Sequence, residues 1–166
     1  MIPIAITLTH ALLLCIPFTI FVVVSFWGWP RLWLHSLPED IAKLAGPKTP
    51  AEERATTFLL LPYLIILPGL SIVSTIYAAQ SANVELSFLG ALVHLYLVML
   101  VVHTYDFAVI DFIHTLIINP NHPPIKGTEG AHGWKDMNFH FHSLLKAIPN
   151  SAVFVVPAAL LVSLFV

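Results

Sequence analysis

Residues 86–118 read LSFLGALVHLYLVMLVVHTYDFAVIDFIHTLII, and this stretch decides the fold. It is mostly apolar and longer than the about 20 residues that a helix needs to cross the hydrocarbon layer of a membrane. A helix that starts near Asn83 and runs to residue 118 would be some 50 Å long, against about 30 Å of hydrocarbon. The sequence therefore predicts a transmembrane helix that tilts or projects beyond the membrane.

The composition of the whole chain is that of a membrane protein. Of 166 residues, 58% are hydrophobic and 10% are charged, whereas soluble domains carry about 25% charged residues. Three further stretches are apolar enough to span, at residues 4–27, 57–79 and 144–166. We predict an all-α fold, a four-helix transmembrane bundle in one domain over residues 1–166. The net charge of -2 gives no reason to expect nucleic acid, and a single cysteine excludes disulfide frameworks within one chain.

The positions of Lys and Arg predict the orientation in the membrane. All of them lie in residues 28–56 and 119–143 or just beyond, at Lys146, whereas the link 80–85 and both chain ends have none. By the positive-inside rule, the first and third loops are cytoplasmic and both termini lie outside. The four tryptophans fall on the same predicted side, as an interfacial belt would place them.

Two segments have the pattern of a helix capping box, Ser36 with Glu39 and Thr49 with Glu52. The first predicts a short amphipathic helix at residues 38–45, in the first cytoplasmic loop. The second predicts that the second long helix starts at Thr49, well before the membrane.

Five ionisable residues interrupt the apolar third span, and four of them share one face, whereas His94 lies on the opposite face. At 100° per residue, His103, Asp106, Asp111 and His114 fall within an arc of about 140° on one helix. Ionisable groups inside a span are rare and are functional hypotheses by default, and imidazoles with carboxylates suit iron or zinc. We therefore predict a divalent metal site in which the histidines are ligands and the aspartates are ligands or orienting groups. A structural network of salt bridges and hydrogen bonds is the alternative.

The third loop adds further candidates for this site. His140 and His142 are predicted metal ligands, and Glu129 is the candidate general base. In an extended segment these two histidines point the same way, whereas in a helix they diverge by about 200°. If both are ligands, the fourth helix must start after them.

A separate histidine pair lies toward the outer surface. His10 on the first span and His94 on the third are each about two turns into the membrane. Two axial histidines from different helices can hold haem b, which makes this pair an alternative cofactor site. Two separately hydrogen-bonded histidines are the simpler interpretation.

Short motifs in both long loops carry a resemblance to a known family. They are RLWLH at residues 31–35, PKT at 47–49, GTEG at 127–130, WKD at 134–136 and FHF at 139–141. On these motifs the chain resembles an uncharacterised family of small four-span bacterial integral membrane proteins. The resemblance covers most of the chain and implies a location in the bacterial inner membrane. It implies no chemistry, and no catalytic residue follows from it.

These patterns favour a His/carboxylate site at the cytoplasmic boundary of the membrane that binds a divalent metal. Such a site would suit an oxidoreductase that acts on a lipid-soluble substrate, although the sequence does not decide whether the protein is an enzyme. One alternative is an accessory or assembly subunit of a larger membrane complex. Another is proton or ion movement along the third span, which would need a homo-oligomer to enclose a path. The last alternative is an electron carrier that binds haem.

Overall fold

The computed structural model describes residues 1–165, apart from the side chain of Pro62, and it confirms the all-α bundle. Four helical stretches are long and apolar enough to cross a membrane: Ile4–Gly28, Pro50–Ser81, Phe88–Ile117 and Met137–Val162. The fourth predicted stretch extends to residue 166, which lies outside the described residues. The architecture is that of a multi-pass membrane protein.

The elements follow one another along the chain with short connections. The first half contains α1 (Ile4–Gly28), α2 (Glu39–Ala45) and α3 (Pro50–Ser81). The second half contains α4 (Phe88–Tyr105), a π-helical segment (Asp106–Asp111), α5 (Phe112–Ile117), α6 (Met137–Asn150) and α7 (Ala152–Val162). Two turns of 3₁₀ helix lie in the loops, at Pro30–Ser36 and His132–Lys135.

Small side chains let the spans approach closely. α4 packs against both α1 and α7, and α3 closes the bundle by packing against the same two helices. The buried contacts at one end of the bundle include alanines from three helices, namely Ala78, Ala79, Ala91, Ala158 and Ala159. Because apolar burial drives little association between helices in lipid, close backbone packing of this kind holds spans together.

The two long loops pack on each other at the other end of the bundle. Trp134 from the third loop is buried with Ile41 of α2 and Phe26 of α1. Asp40 accepts a hydrogen bond from the backbone N–H of Gly133 at 2.9 Å, and this bond joins the two loops directly. We call this layer, residues 30–45 with 118–136, the loop cap.

The third span begins later than its sequence predicts. α4 starts at Phe88 and not near Asn83, and the side chain of Ser87 accepts the N–H of Gly90 at 3.2 Å as its cap. Asn83 has a positive φ of 50°, a conformation that asparagine tolerates better than most residues. It turns the chain out of α3, so that the N–H of Val84 returns to the carbonyl of Ala79 at 3.0 Å.

One of the two predicted capping boxes is confirmed and the other is wrong. Thr49 accepts the N–H of Glu52 at 3.2 Å, and the Glu52 carboxylate accepts the N–H of Thr49 at 2.8 Å. At α2 the cap residue is Pro38, without a side-chain hydrogen bond, because the Ser36 hydroxyl donates to the carbonyl of Trp33 instead. The predicted short helix is nevertheless present, one residue shorter at its start.

The fourth span starts before its apolar stretch. α6 begins at Met137, where Asp136 accepts the N–H of Phe139 at 3.0 Å as a helix cap. A turn at Ser151 separates α6 from α7. The first turns of α6 are therefore polar helix, and they carry His140 and His142.

Replacing the two predicted caps by alanine tests this difference. We expect Thr49→Ala to lower the free energy of unfolding by about 1 kcal/mol, since it removes a helix cap. Ser36→Ala is the matched control and should change it by less than about 0.5 kcal/mol, because its hydroxyl caps no helix. Unfolding of the detergent-solubilised protein in a denaturant series measures both. Equal losses in the two variants would contradict the assignment.

Candidate functional site

A π-helical segment forms the centre of the candidate site. In the segment Asp106–Asp111 each hydrogen bond spans five residues instead of four. Residues five positions apart therefore lie nearly above one another, whereas an α-helix would separate Asp106 and Asp111 by about 140°. The wider turn brings the two carboxylates to the same side of the span. π-Helical turns inside α-helices are frequent at functional sites.

Five of the ionisable residues predicted from the sequence line a single cavity of about 690 Å³. The cavity lies under the loop cap, among α1, α3, the π-helical segment and α6. The predicted site residues that line this cavity are His103, Asp106, Asp111, His114 and His140. The structure thus brings these side chains together from two spans.

Asp111 and His140 form the closest acid–imidazole pair. Nδ1 of His140 lies 3.1 Å from Oδ2 of Asp111, and the side chains are 18% and 22% exposed. This contact joins the π-helical segment to the first turn of α6. Asp106 also faces the cavity, and its carboxyl group has no side-chain hydrogen bond to the described residues.

Two further imidazoles are held by other helices. Nε2 of His103 lies 2.8 Å from the hydroxyl of Ser151, at the turn between α6 and α7. The indole N–H of Trp27 donates to Nε2 of His114 at 3.3 Å, and the His114 ring stacks on Phe26 at 4.9 Å. Contacts with α1 and with the turn between α6 and α7 therefore help to orient these two rings.

His35 adds an imidazole that the sequence does not assign to the site. It lines the same cavity from the loop cap and stacks on Trp33, with ring centroids 6.2 Å apart. Burial lowers the pKa of His35, and the positive charge of Lys48 lowers it further. The neutral ring is therefore favoured, and it can donate a hydrogen bond from one nitrogen and accept one at the other.

An apolar slot of about 270 Å³ adjoins this cavity. The slot lies between α3, α4, α6 and α7, and its lining is almost entirely hydrocarbon. Four residues line both spaces, namely Tyr63, Leu64, His103 and Ala147. The polar cavity and the apolar slot are therefore adjacent at His103.

The structure places His142 and Glu129 away from this cavity. Because α6 starts at Met137, His140 and His142 both lie on helix and diverge, and the predicted extended segment is wrong. The His142 ring is exposed, 2.7 Å from the carbonyl of Asn138. Glu129 is exposed in the third loop, where a hydrogen bond from the backbone N–H of Gly127 lowers the pKa of its carboxyl. The predicted metal ligand and the predicted general base are thus not part of the cluster.

The described residues contain no group of three or more His, Cys, Asp or Glu side chains arranged to hold a metal ion. The predicted divalent metal site therefore stays a prediction. His10 and His94 lie apart from the cavity, and neither lines any of the four cavities described. Haem b at this pair also stays a prediction.

Sequence reasoning missed the residues that join the cluster to its surroundings. Ser151, Lys146 and His35 line the two spaces, but no chemical pattern in the sequence assigned them to the site. The one signal was the run Pro149, Asn150, Ser151, which is polar and helix-breaking inside an apolar stretch.

No protein family, curated protein or solved structure matches this chain. The site is therefore interpreted from its own geometry.

The loop cap over the cavity can be tested at Gly133. A Cβ atom there would meet Cβ of Pro38 at 2.6 Å and also the Asp40 carboxylate. We expect Gly133→Ala to destabilise the protein by about 1–3 kcal/mol, as overpacking does, and to speed cleavage of the third loop at Lys126 in limited proteolysis.

The control for this substitution is Gly69→Ala, on α3, where no neighbouring atom lies within 4 Å. It should leave stability and cleavage unchanged or improve stability slightly. If Gly133→Ala behaves like Gly69→Ala, the two loops do not pack as described.

Proposed function

We propose that the protein binds a lipid-soluble amphiphile, with its apolar tail in the slot and its polar head in the acid–imidazole cavity. There the cluster of His and Asp side chains transfers a proton to or from the head. The observation that carries this proposal is that the two spaces share their lining at His103, Tyr63, Leu64 and Ala147. A ligand that occupies both must be apolar at one end and polar at the other.

The chemistry of the cluster supports proton transfer. The Asp111 and His140 pair can exchange a proton across 3.1 Å, and Asp106 offers a carboxyl group that has no hydrogen-bond partner among the described residues. Positioned carboxyl and imidazole groups act as general acids and bases when the reacting atom lies within hydrogen-bond reach. An environment with little water strengthens such electrostatic interactions.

An oxidoreductase with a divalent metal is a finer form of this proposal. It would place iron or zinc between the imidazoles and carboxylates of the same cavity. Proton transfer to the head group does not require this metal, so the two ideas are tested separately. Elemental analysis of purified protein tests the finer form: about one equivalent of iron or zinc, lost in Asp111→Asn, supports it. Less than about a tenth of an equivalent contradicts it.

We also propose that the loop cap faces the cytoplasm of a bacterium, with both termini outside. The support is the distribution of Lys and Arg, which occur in the two loops and at Lys146 but not at the other end of the bundle. The cavity then opens near the inner leaflet, where an amphiphile can place its head at the membrane surface.

Filling the slot tests the binding of an amphiphile. Ala158 lines the slot and is 6% exposed, so Ala158→Phe should block the tail. We expect the purified wild-type protein to retain a specific amphiphile through detergent exchange, measured by mass spectrometry of its organic extract. Ala158→Phe should retain about tenfold less, because the phenyl ring takes space that the tail would occupy, and a loss of about 1.4 kcal/mol of binding free energy is tenfold in affinity.

Two comparisons complete this experiment. Ala5→Phe, an exposed position on α1 outside both spaces, is the matched control and should retain the amphiphile as wild type does. Asp106→Asn should also retain the amphiphile. If Asp106 transfers a proton, the rate at which this variant converts the amphiphile in isolated membranes should fall by about 10²–10⁴-fold. Equal retention in Ala158→Phe and wild type would overturn the proposal.

A further inference from the structure

A second polar cluster lies at the end of the bundle opposite the loop cap. It consists of Thr7 and His10 on α1, Ser74 on α3 and His94 on α4. His10 and His94 each lie six residues after the start of their helix, which is about 9 Å along the axis. The two imidazoles are therefore at similar depth, and three spans converge around them.

Hydroxyl groups hold one nitrogen of each ring. Nδ1 of His94 lies 3.0 Å from the Thr7 hydroxyl, and Nδ1 of His10 lies 2.6 Å from the Ser74 hydroxyl. The Thr7 hydroxyl also lies 3.4 Å from the carbonyl of Pro3. In the tautomer that the proposal requires, Thr7 donates to that carbonyl and accepts Nδ1–H of His94, which leaves a lone pair on Nε2 of His94.

Nε2 of His94 is buried and has no hydrogen-bond partner in the described part of the chain. The residue is only 4% exposed, and a buried polar atom without a partner is unfavourable and uncommon. Thr7 and His10 are three residues apart and share a face of α1, so His10 lies one turn along α1 from the residue that contacts His94.

We propose that Nε2 of His94 and Nε2 of His10 together bind one monovalent copper ion. Imidazole is a good copper ligand, and a hydrogen bond from the other ring nitrogen is the usual way in which a ligating histidine is oriented. This metal site is separate from the acid–imidazole cavity. A single ion also needs no space of the size of a haem, the cofactor that the sequence suggested for this pair.

The absence of a nearby acid favours a monovalent ion. No acidic side chain is hydrogen-bonded or paired with either ring among the described residues. Two neutral imidazoles cannot offset the charge of a divalent ion in a medium of low dielectric constant, where the penalty for burying an uncompensated charge is large. Copper(I) carries half that charge and accepts few ligands.

Metal titration of the purified full-length protein in detergent tests the proposal. We expect one equivalent of copper(I) to be retained under reducing conditions in competition with the chelator bicinchoninate. Silver(I) should bind at the same site as a redox-inert substitute. His94→Gln and His10→Gln should each weaken binding at least tenfold, whereas His142→Gln, an exposed histidine on α6, should leave it unchanged. Circular dichroism and gel filtration check that each variant folds.

X-ray absorption at the copper edge identifies the ligands directly and does not depend on any variant. Two nitrogen neighbours support the proposal, whereas sulfur neighbours would assign the ion to Cys15 or a methionine and overturn it. It is also overturned if wild type binds no copper(I) or if both glutamine variants keep it. Zinc(II) bound as tightly as copper(I) would contradict the monovalent selectivity. None of these outcomes bears on the amphiphile, which is measured with different variants.

Discussion

Polar groups inside a bilayer have no water to bind, so each must find a partner within the protein. This constraint explains much of the local structure of the spans. The hydroxyls of Thr19, Ser25, Ser71 and Thr75 each donate to a carbonyl one turn earlier on their own helix. Each of these hydroxyls thus has a hydrogen-bond partner on its own helix, and Thr19 also lies 3.0 Å from the hydroxyl of Tyr105 on α4. The informative groups are those that a helix cannot satisfy by itself.

Those groups collect in two places. Toward the loop cap, the carboxylates and imidazoles of the third and fourth spans surround a cavity that adjoins an apolar slot. At the opposite end, two imidazoles are each held by a hydroxyl, and one of them has a nitrogen without a hydrogen-bond partner among the described residues. The alanine contacts between α3, α4 and α7 fix the crossing of the spans at this end. The fold therefore separates two polar sites by a layer of apolar packing.

Much of the architecture could be predicted from the sequence because hydrophobic length and helix caps are local signals. The four spans, the short helix of the first loop and the Thr49 cap needed no tertiary information. The starts of α4 and α6 did need tertiary information. They depend on the turn at Asn83 and the cap at Asp136, which a hydropathy profile does not detect. Regular helical periodicity placed the site residues of the third span within one broad arc, but it could not predict the π-helical segment that brings Asp106 and Asp111 to the same side. Glu129 and His142 were added by proximity in sequence alone. His35 and Ser151 reach the cavity from other elements, and no periodicity could reveal them.

The π-helical segment puts the two halves of the third span out of phase. A π-helical turn contains one residue more than an α-helical turn. Every side chain after Asp111 is therefore rotated about the helix axis by about 100° relative to a continuous α-helix. His114 meets Trp27 and Phe26 only in this shifted frame. Loss of a single residue from the segment would restore the ordinary repeat and swing that ring away from α1. The length of this short run is thus under tighter constraint than the identity of its apolar members.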